Sequence, residues 1–295
     1  MAPTSVKISA VEGNRQWLDG GAMFGNAPRP VWEKWITPDS IGRIPLACRA
    51  LLLEIGNKKV LCETGIGAFF EPKMAERYGV ENPERHRLRE SLQALDIQED
   101  EIDFVILSHL HFDHAGGLLP TYAEAQAGQK KLLFPKAKYV VGREAWQRAL
   151  KPHSRDKASF IPGLTQQLQE SKRLIIVDGD RHPDVLPDYI RFFISNGHTP
   201  GQMLTICKGK STSVVFAGDL IPGLPWVHLP ITMGYDRFPE LLIDEKEKLY
   251  QLVTQENWWV FFTHDPTHMM AHVFVNEKGR YTPGQPMAEV KGLDL

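Results

Sequence analysis

One short segment concentrates side chains that bind metal ions. Residues 108–117 read SHLHFDHAGG, with three histidines and one aspartate inside six positions. A chain of this length and composition would contain such an HxHxDH pattern by chance about once in a thousand cases. Imidazole and carboxylate groups are ligands for zinc and other divalent metals. The segment therefore predicts a metal site rather than surface histidines on a turn.

The spacing inside this segment suggests how the ligands are shared out. His109 and His111 are two residues apart, so in an extended backbone they point to the same side. Asp113 and His114 follow where the strand gives way to a loop, and they can turn toward a second ion beside the first. The glycines at 116–117 let the backbone turn steeply without a Cβ clash.

Four ligands cannot complete two coordination spheres, because zinc prefers about four ligands and a catalytic ion keeps one position for water. The rest of the chain must supply the others. Three candidates each follow an apolar run, where loops gather at one edge of a sheet: His198 in SNGHTPG, Asp219 in VVFAGD and His264 in VFFTH.

The elements that would position these residues alternate between strands and helices. Residues 51–55 and 59–62 flank Gly56-Asn57, a pattern typical of a two-residue hairpin, and the apolar run 104–107 is typical of a buried strand. The pattern also predicts strands at 139–141, 174–177, 190–195, 203–207, 213–217 and 259–262, with 259–262 as the final strand. Helices are predicted at 85–95, 143–150 and 239–255. Residues 19–45 are predicted to be irregular, and 152–162 an inserted loop. The alternation predicts two sheets with helices outside, in one domain over residues 1–295.

Composition narrows the function class. The 295 residues are 42% apolar and 24% charged, which is typical of a globular protein with a sizeable core and excludes disordered, collagen-like and disulfide-stapled classes. With a net charge of −2, nothing in the overall charge favours nucleic acid or an anionic membrane. We expect a small-molecule substrate, with neither nucleic acid nor membrane as a partner, and homodimer formation is left open.

Cysteine usage and the first residues predict a location. The chain has three cysteines, an odd number, and no two of them form a CxxC pair, which favours a reducing compartment. The first ten residues lack the apolar core of a signal peptide, and no stretch reaches the roughly 18 apolar residues of a membrane span. We therefore expect a cytoplasmic protein.

The ordered motifs resemble those of metallo-β-lactamase-fold hydrolases. HxHxDH, the GHTPG loop, the AGD strand end and the late THD occur in the same order over nearly the whole chain. The resemblance implies an α+β fold, an αββα sandwich of two mixed β-sheets with helices on the outer faces. Three further stretches are similar to the branch that holds quorum-quenching N-acyl-homoserine lactonases and methyl-parathion-hydrolase-like enzymes: residues 19–25, residues 42–45, and Tyr235-Asp236 ahead of a Lys-rich helix.

The resemblance also implies an assignment of ligands to two ions. His109, His111 and His198 would bind the first ion. Asp113, His114 and His264 would bind the second, with Asp219 bridging both. The ions would be divalent, with zinc expected and iron, manganese or cobalt compatible with the same ligands.

Two positions depart from the family pattern. Where the family usually has Asp-Thr-Gly after the second strand, this chain has Glu63-Thr64-Gly65. The family role for that carboxylate is to hold a metal-bound histidine, and we expect Glu63 to take it. The best-known lactonases have a tyrosine three residues after the bridging aspartate, a place taken here by Pro222. Tyr235 and His228 are the candidates to assist the leaving group instead.

The expected reaction is hydrolysis of a lactone or ester by hydroxide held between two ions, with Asp113 and Asp219 as catalytic carboxylates. Met23, Phe24 and Trp226 are predicted to line an apolar substrate pocket together with His228 and Tyr235. The alternatives are a phosphotriester or phosphodiester hydrolase with the same ions, a redox diiron protein and a non-catalytic metal-binding regulator. A redox diiron protein would have glutamate at position 111 and an adjoining flavin domain, whereas position 111 is histidine here and we expect no flavin domain.

Overall fold

A computed structural model describes residues 5–182 and 184–295; residues 1–4, at the start of the predicted domain, and residue 183 lie outside the described residues. The strands are β1 (Val6–Val11), β2 (Gln16–Asp19), β3 (Arg43–Leu46), β4 (Ala50–Ile55), β5 (Lys58–Cys62), β6 (Phe104–Leu107), β7 (Lys138–Gly142), β8 (Leu174–Val177), β9 (Ile190–Ser195), β10 (Gln202–Lys208), β11 (Ser213–Phe216), β12 (Trp259–Phe261), β13 (Met270–Val275), β14 (Tyr281–Met287) and β15 (Leu293–Asp294). The α-helices are α1 (Gly20–Phe24), α2 (Arg29–Trp32), α3 (Pro72–Arg77), α4 (Arg87–Gln93), α5 (Phe112–Ala115), α6 (Tyr122–Gln126), α7 (Arg143–Leu150), α8 (Leu164–Glu170) and α9 (Pro239–Gln255).

Two mixed sheets form the centre of the fold. One has seven strands in the order β15-β1-β4-β5-β6-β7-β8 and the other has six in the order β14-β13-β12-β11-β10-β9. The β4–β5 hairpin turns at Gly56-Asn57 with Ile55 opposite Lys58, as the sequence predicted, whereas β5, β6, β7 and β8 run parallel. The strands β2 and β3 pair separately as a small two-stranded sheet.

Both faces of the two large sheets are covered. Alternate residues of β4 point to opposite faces, so that Leu51 and Leu53 pack between the sheets while Leu52 packs under the outer helices. Helices α4, α7 and α8 cover the outside of the seven-stranded sheet, and α9 covers the outside of the six-stranded sheet. This layering confirms the predicted αββα sandwich.

The sequence prediction was wrong about which strand is the last one, and it missed regular elements near the start of the chain. The predicted final strand at 259–262 is followed by β13, β14 and β15, and the segment 19–45, predicted to be irregular, contains α1, α2 and most of β3. β14 lies at the edge of its sheet, where Pro283 and Pro286 are tolerated because an edge strand leaves one side of its backbone unpaired. Because proline is unusual in strands, these two residues kept the sequence pattern from predicting β14. No helix among residues 5–182 and 184–295 combines the length and apolar character needed to cross a bilayer.

The topology gathers the loops that carry the metal-binding motifs. Strands β5 and β6 are parallel neighbours, and so are β11 and β12 in the other sheet. The carboxyl ends of parallel strands meet at one edge of a sheet. Glu63, His109, Asp219 and His264 each follow one of these four strands, so the chain brings them together between the two sheets.

Candidate metal centre

The HxHxDH segment leaves β6 in extended backbone and then forms the single helical turn α5. His111 caps that turn with φ −67° and ψ 156°, and the rings of His109 and His111 lie with centroids 4.4 Å apart. The two glycines after the turn are needed because neighbouring backbone packs directly against them. They do not take an unusual backbone angle. A Cβ at Gly116 would lie 2.1 Å from the Ile66 carbonyl oxygen, and one at Gly117 would lie 2.0 Å from that of Thr64.

Three histidine nitrogens converge in a first group. His111 Nδ1 lies 3.0 Å from His109 Nε2 and 3.3 Å from His198 Nε2. Ligands about 2.05 Å from a tetrahedral zinc ion are separated from one another by about 3.3 Å. The three nitrogens therefore have the spacing of ligands around one ion.

A second group lies beside the first. Asp113, His114 and His264 offer ligand atoms that all lie within 4.8 Å of one another. His114 Nε2 is 3.7 Å from Asp113 Oδ1, and His264 Nε2 is 3.7 Å from Asp113 Oδ2. This is the set of residues that the resemblance assigns to the second ion.

Asp219 lies between the two groups. Its Oδ2 is 3.2 Å from His198 Nε2 in the first group. Its Oδ1 is 3.3 Å from His114 Nε2 and 3.2 Å from His264 Nε2 in the second. Each carboxylate oxygen thus faces a different group, which is the arrangement needed by a bridging ligand.

The donor atoms fit a pair of divalent ions. His114 Nε2 and Asp219 Oδ1 are buried and have no hydrogen-bond partner among the described residues. Buried polar atoms are rarely left unpaired, so these two need a partner that the protein atoms do not supply. Imidazole nitrogen and carboxylate oxygen together suit zinc, iron, manganese or cobalt. We conclude that the two groups form a candidate dinuclear centre.

Burial and neighbouring charges set the protonation states of these residues in the absence of an ion. Burial, reinforced by the neighbouring His198, lowers the pKa of His111 to about 3, and burial likewise lowers the pKa of His109 well below its ordinary value. Burial opposes charge on Asp219, but the nearby histidines, His114 first, hold the pKa of its carboxyl well below the usual range. The His109 and His111 rings are therefore neutral, and the Asp219 carboxylate is ionised. Burial also opposes charge on His198, but the carboxylates of Asp219 and Asp236 raise the pKa of its ring above the ordinary value.

Glu63 supports one histidine from each group. Its Oε2 lies 2.7 Å from His114 Nδ1, which donates to it, and its Oε1 accepts the hydroxyl hydrogen of Ser108. The Ser108 oxygen is then free to accept from His109 Nδ1 at 2.9 Å. Glu63 takes φ 64°, in the left-handed region, which sets its backbone apart from an ordinary strand end. Because both of its oxygens are occupied in this way, it is better placed to orient ligands than to bind an ion.

We expect Glu63→Gln to weaken metal binding by about 10 to 100-fold, because partners that fix the tautomer of a ligand histidine typically contribute that much. The affinity of the apo protein for Zn²⁺, measured by competition with a chromophoric chelator, checks the expectation. Glu81→Gln is the matched control, since Glu81 accepts from Trp17 Nε1 at 2.6 Å and touches none of the ligand residues. Equal affinities for both variants and the wild type would show that Glu63 has no such role.

Several supporting residues were missed from the sequence. His198 Nδ1 donates to Asp236 Oδ1 at 2.9 Å, and His264 Nδ1 donates to the Ala47 carbonyl at 2.6 Å. The buried carboxylate of Glu245 on α9 accepts from the backbone N–H groups of residues 196 and 197 and from the Ser195 hydroxyl. Asp236 follows Tyr235, so the motif noted in the sequence contained one of these residues without revealing its role.

A cavity of about 390 Å³ opens onto the ligand residues. Apolar side chains from separate parts of the chain form one part of its wall: Leu18, Met23, Leu46, Phe112 and Met233. Tyr78, Tyr235 and residues 155, 156, 158 and 159 also line it. Met23 and Tyr235, both predicted from the sequence, thus lie at the cavity. The predicted loop at 152–162 also contributes to its wall.

Three other predicted pocket residues lie elsewhere, and this corrects the sequence analysis. Phe24 and Trp226 are buried in a stack with ring centroids 4.5 Å apart, and Phe24 also stacks on Trp32 at 5.5 Å. His228 stacks on Trp35 beside a different groove. For Phe24 the cause is the short helix α1, which directs Met23 toward the cavity and its neighbour Phe24 into the core.

Comparisons with known proteins agree with this geometry. The profile of the Metallo-beta-lactamase superfamily matches residues 43–264. The N-acyl homoserine lactonase AiiA of Bacillus thuringiensis subsp. kurstaki is 27% identical over 248 residues, covering 78% of this chain and 85% of the relative. An N-acyl homoserine lactonase from Bacillus cereus is 26% identical over the same length.

Solved structures share the fold over almost the full chain. A probable metal-dependent hydrolase from Staphylococcus aureus superposes with a TM-score of 0.84 at 25% identity, covering 97% of this chain and 99% of that one. The dizinc quorum-quenching lactonase AidC superposes with a TM-score of 0.72 at 19% identity, covering 96% and 95%. At that identity AidC shows the shared fold alone.

Proposed function

Because the chain belongs to the metallo-β-lactamase superfamily and is a metal-dependent hydrolase, we propose that it opens a lactone or cleaves an ester, with an N-acyl-homoserine-lactone-like molecule as its substrate. The ligand residues are those of the two groups described above, bridged by Asp219. The lactonase relatives, 27% identical to this chain, motivate the substrate class.

The observation that carries the proposal is the lining of the cavity beside the ligands. Its wall is mainly apolar, and among the described residues that line it Arg155 is the one Lys or Arg side chain. The Arg155 guanidinium already donates to the Gly234 carbonyl at 2.7 Å. An anionic phosphodiester would be favoured by several cationic donors around it, whereas a neutral phosphotriester needs none. A neutral ester with an apolar tail matches this lining better than an anionic phosphodiester does, and the lactonase relatives favour it over a phosphotriester.

The chain's own residues would orient the reacting groups and move the proton. When bound, a pair of divalent ions activates water and polarises a carbonyl oxygen. Asp113 lies at the cavity wall with its side chain 14% exposed, so its carboxylate can take the proton of the attacking water and pass it toward the leaving oxygen.

Tyr235 would donate a hydrogen bond to the leaving oxygen, in place of the tyrosine that position 222 lacks. It lies on the cavity wall. Burial, followed by the negative charge of nearby Asp113, raises the pKa of Tyr235 to about 12. The hydroxyl is therefore protonated at neutral pH and able to donate.

We expect Tyr235→Phe to lower kcat/KM for a lactone by about 10 to 100-fold, because a hydrogen bond to a developing charge contributes about 1.5 to 3 kcal/mol. The kcat/KM for an aryl ester should fall less, because a phenolate is a good leaving group and needs no hydrogen bond from the protein. Tyr78→Phe is the matched control, since Tyr78 lines the same cavity and packs its ring on Phe112 with centroids 4.4 Å apart. Equal losses for the two variants would contradict the role of Tyr235.

The proposed function is tested by assaying the zinc-loaded protein on N-acyl-homoserine lactones, aryl esters, thioesters, phosphotriesters and phosphodiesters. We expect lactones to react at kcat/KM of about 10⁴ M⁻¹s⁻¹ or more, a normal enzymatic efficiency. Elemental analysis of the same sample should find about two metal equivalents per chain, as expected of a dinuclear centre. Efficient turnover of a phosphate ester with slow lactone opening would overturn the substrate class, and less than one equivalent of metal would overturn the centre.

A further inference from the structure

Gln16 on strand β2 contacts the metal centre, although no sequence motif singled it out. The residue is fully buried, and its Nε2 donates to Asp113 Oδ2 at 2.8 Å. The two residues are 97 positions apart in the chain. The contact therefore arises from the fold rather than from the HxHxDH segment itself.

The rest of the Gln16 amide is unpaired. Its Oε1 is buried and has no hydrogen-bond partner among the described residues. Turning the amide over would place Oε1 against a carboxylate oxygen, so the contact with Asp113 fixes the orientation of the side chain. A buried unpaired acceptor destabilises a fold by about 1 to 3 kcal/mol. The residue is thus poorly suited to a purely structural role.

Asn14, two residues earlier, shows what a structural amide looks like in the same segment. Its Nδ2 donates to the carbonyl oxygens of Glu81, Asn82 and Arg85, and its Oδ1 accepts from the Arg87 backbone N–H. Both ends of that amide are satisfied by backbone. The contrast with Gln16 indicates that Gln16 is placed for its single contact.

The chemistry of the contact suits a carboxylate that must bind an ion. A lysine or arginine in this place would neutralise Asp113 and compete with the cation. A neutral amide fixes one carboxylate oxygen through a charge-assisted hydrogen bond and leaves the negative charge in place. The other oxygen, Oδ1, lies on the side of His114 at 3.7 Å from Nε2.

The backbone that carries Gln16 is itself tied to the second group. Gln16 pairs with Leu46 in the β2–β3 ladder, and the next residue, Ala47, accepts from His264 Nδ1 at 2.6 Å. Leu18 and Leu46 of the same two strands line the cavity. The small β2–β3 sheet and the residue that follows it thus contact two candidate ligands of the second group, Asp113 and His264. The same sheet also forms part of the cavity wall.

We propose that Gln16 is a positioning residue for Asp113 that strengthens the binding of the second metal ion. The proposal rests on the proposed function, because it assumes the dinuclear centre. Gln16 acts only through Asp113, so its contribution disappears when the Asp113 carboxylate is absent.

Titration of the apo protein with Co²⁺, followed by the visible spectrum and by competition with a chelator, tests this through a double-mutant cycle. We expect Gln16→Leu to weaken the second binding step by about 10 to 100-fold and to leave the first step unchanged. In an Asp113→Ala background the same substitution should cause no further loss, because residues that act through one contact are not additive. Asn14→Leu is the control, and it should lower the melting temperatures of apo and metal-loaded protein without changing the ratio of the two binding steps.

The outcomes distinguish failure of the dinuclear centre from failure of the positioning role of Gln16. Wild-type protein that binds fewer than two Co²⁺ ions would overturn the dinuclear centre, whatever Gln16 does. If the wild type binds two and Gln16→Leu retains both affinities, or if its loss persists unchanged in the Asp113→Ala background, the positioning role is wrong. Should Gln16→Leu fail to fold, Gln16→Asn retains the amide on a side chain one methylene shorter, and it should show the same selective loss.

Discussion

Replacing Asp219 with alanine is expected to lower kcat/KM by about 10³-fold or more and to reduce the metal content of the protein below one equivalent. Its two oxygens face different groups, at 3.2 Å from His198 and at 3.3 and 3.2 Å from His114 and His264. The substitution therefore removes a ligand from both ions. Ions at such a centre contribute several kcal/mol of transition-state stabilisation, and about 4 kcal/mol corresponds to a factor of about 10³.

His264→Ala provides the comparison for this prediction. It removes a ligand from the second group alone and leaves His109, His111 and His198 at their observed spacing. We expect it to retain about one metal equivalent and to lose less activity than Asp219→Ala. Circular dichroism verifies folding, and Asp219→Asn serves as a substitution of nearly unchanged volume if the alanine variant is unstable. Mild and equal losses in both alanine variants would show that Asp219 does not bridge.

Regular elements with strong local patterns were predictable from the sequence. The helices Arg143–Leu150 and Pro239–Gln255 lie at the predicted residues, because an amphipathic period and an N-terminal proline are local properties. The same holds for the buried strand Phe104–Leu107. Ligand candidates at strand ends followed from these elements, because parallel strands bring their carboxyl ends together.

The residues that orient the ligands could not be predicted in the same way. Glu245 supports the loop before His198 from 48 residues away, and Gln16 reaches Asp113 across 97 residues. Neither has a neighbour in sequence that marks its role. Their contacts depend on how the β2–β3 sheet and α9 pack, which local periodicity does not encode. Glu63 was identified because it departs from a family motif at a known place.

Side-chain direction explains the errors in the predicted pocket. Met23 and Phe24 are adjacent and both apolar, so the sequence treats them alike. In the short helix α1 successive side chains are separated by about 100° around the axis. Met23 therefore reaches the cavity, whereas Phe24 joins the stack with Trp226. Conversely, Leu18 and Leu46 reach the cavity from strands β2 and β3, which the sequence pattern did not reveal.

Substrate chain length should control the rate if the proposed substrate class is right. The tail of an acyl lactone would lie against Leu18, Met23, Leu46 and Met233, which are apolar and line the cavity beside the ligands. Burying one methylene contributes about 0.8 kcal/mol. Lengthening the tail by four carbons would therefore raise kcat/KM by up to about 200-fold, and by less where part of the tail stays in water. Rates for a series of lactones with four to twelve acyl carbons would measure this dependence.

Met23→Ala separates tail binding from the chemistry at the metal centre. It removes part of the apolar wall, so we expect the chain-length dependence to flatten while metal content stays at the wild-type value. The matched control is Phe24→Leu at the adjacent position. Phe24 is buried in the aromatic stack, so this variant should lower stability and keep the chain-length dependence. Flattening in both variants would indicate a general loosening of the fold. If the wild type itself shows equal rates for short and long tails, the acyl-lactone proposal is wrong, because the apolar wall beside the ligands would then contribute nothing to substrate selection.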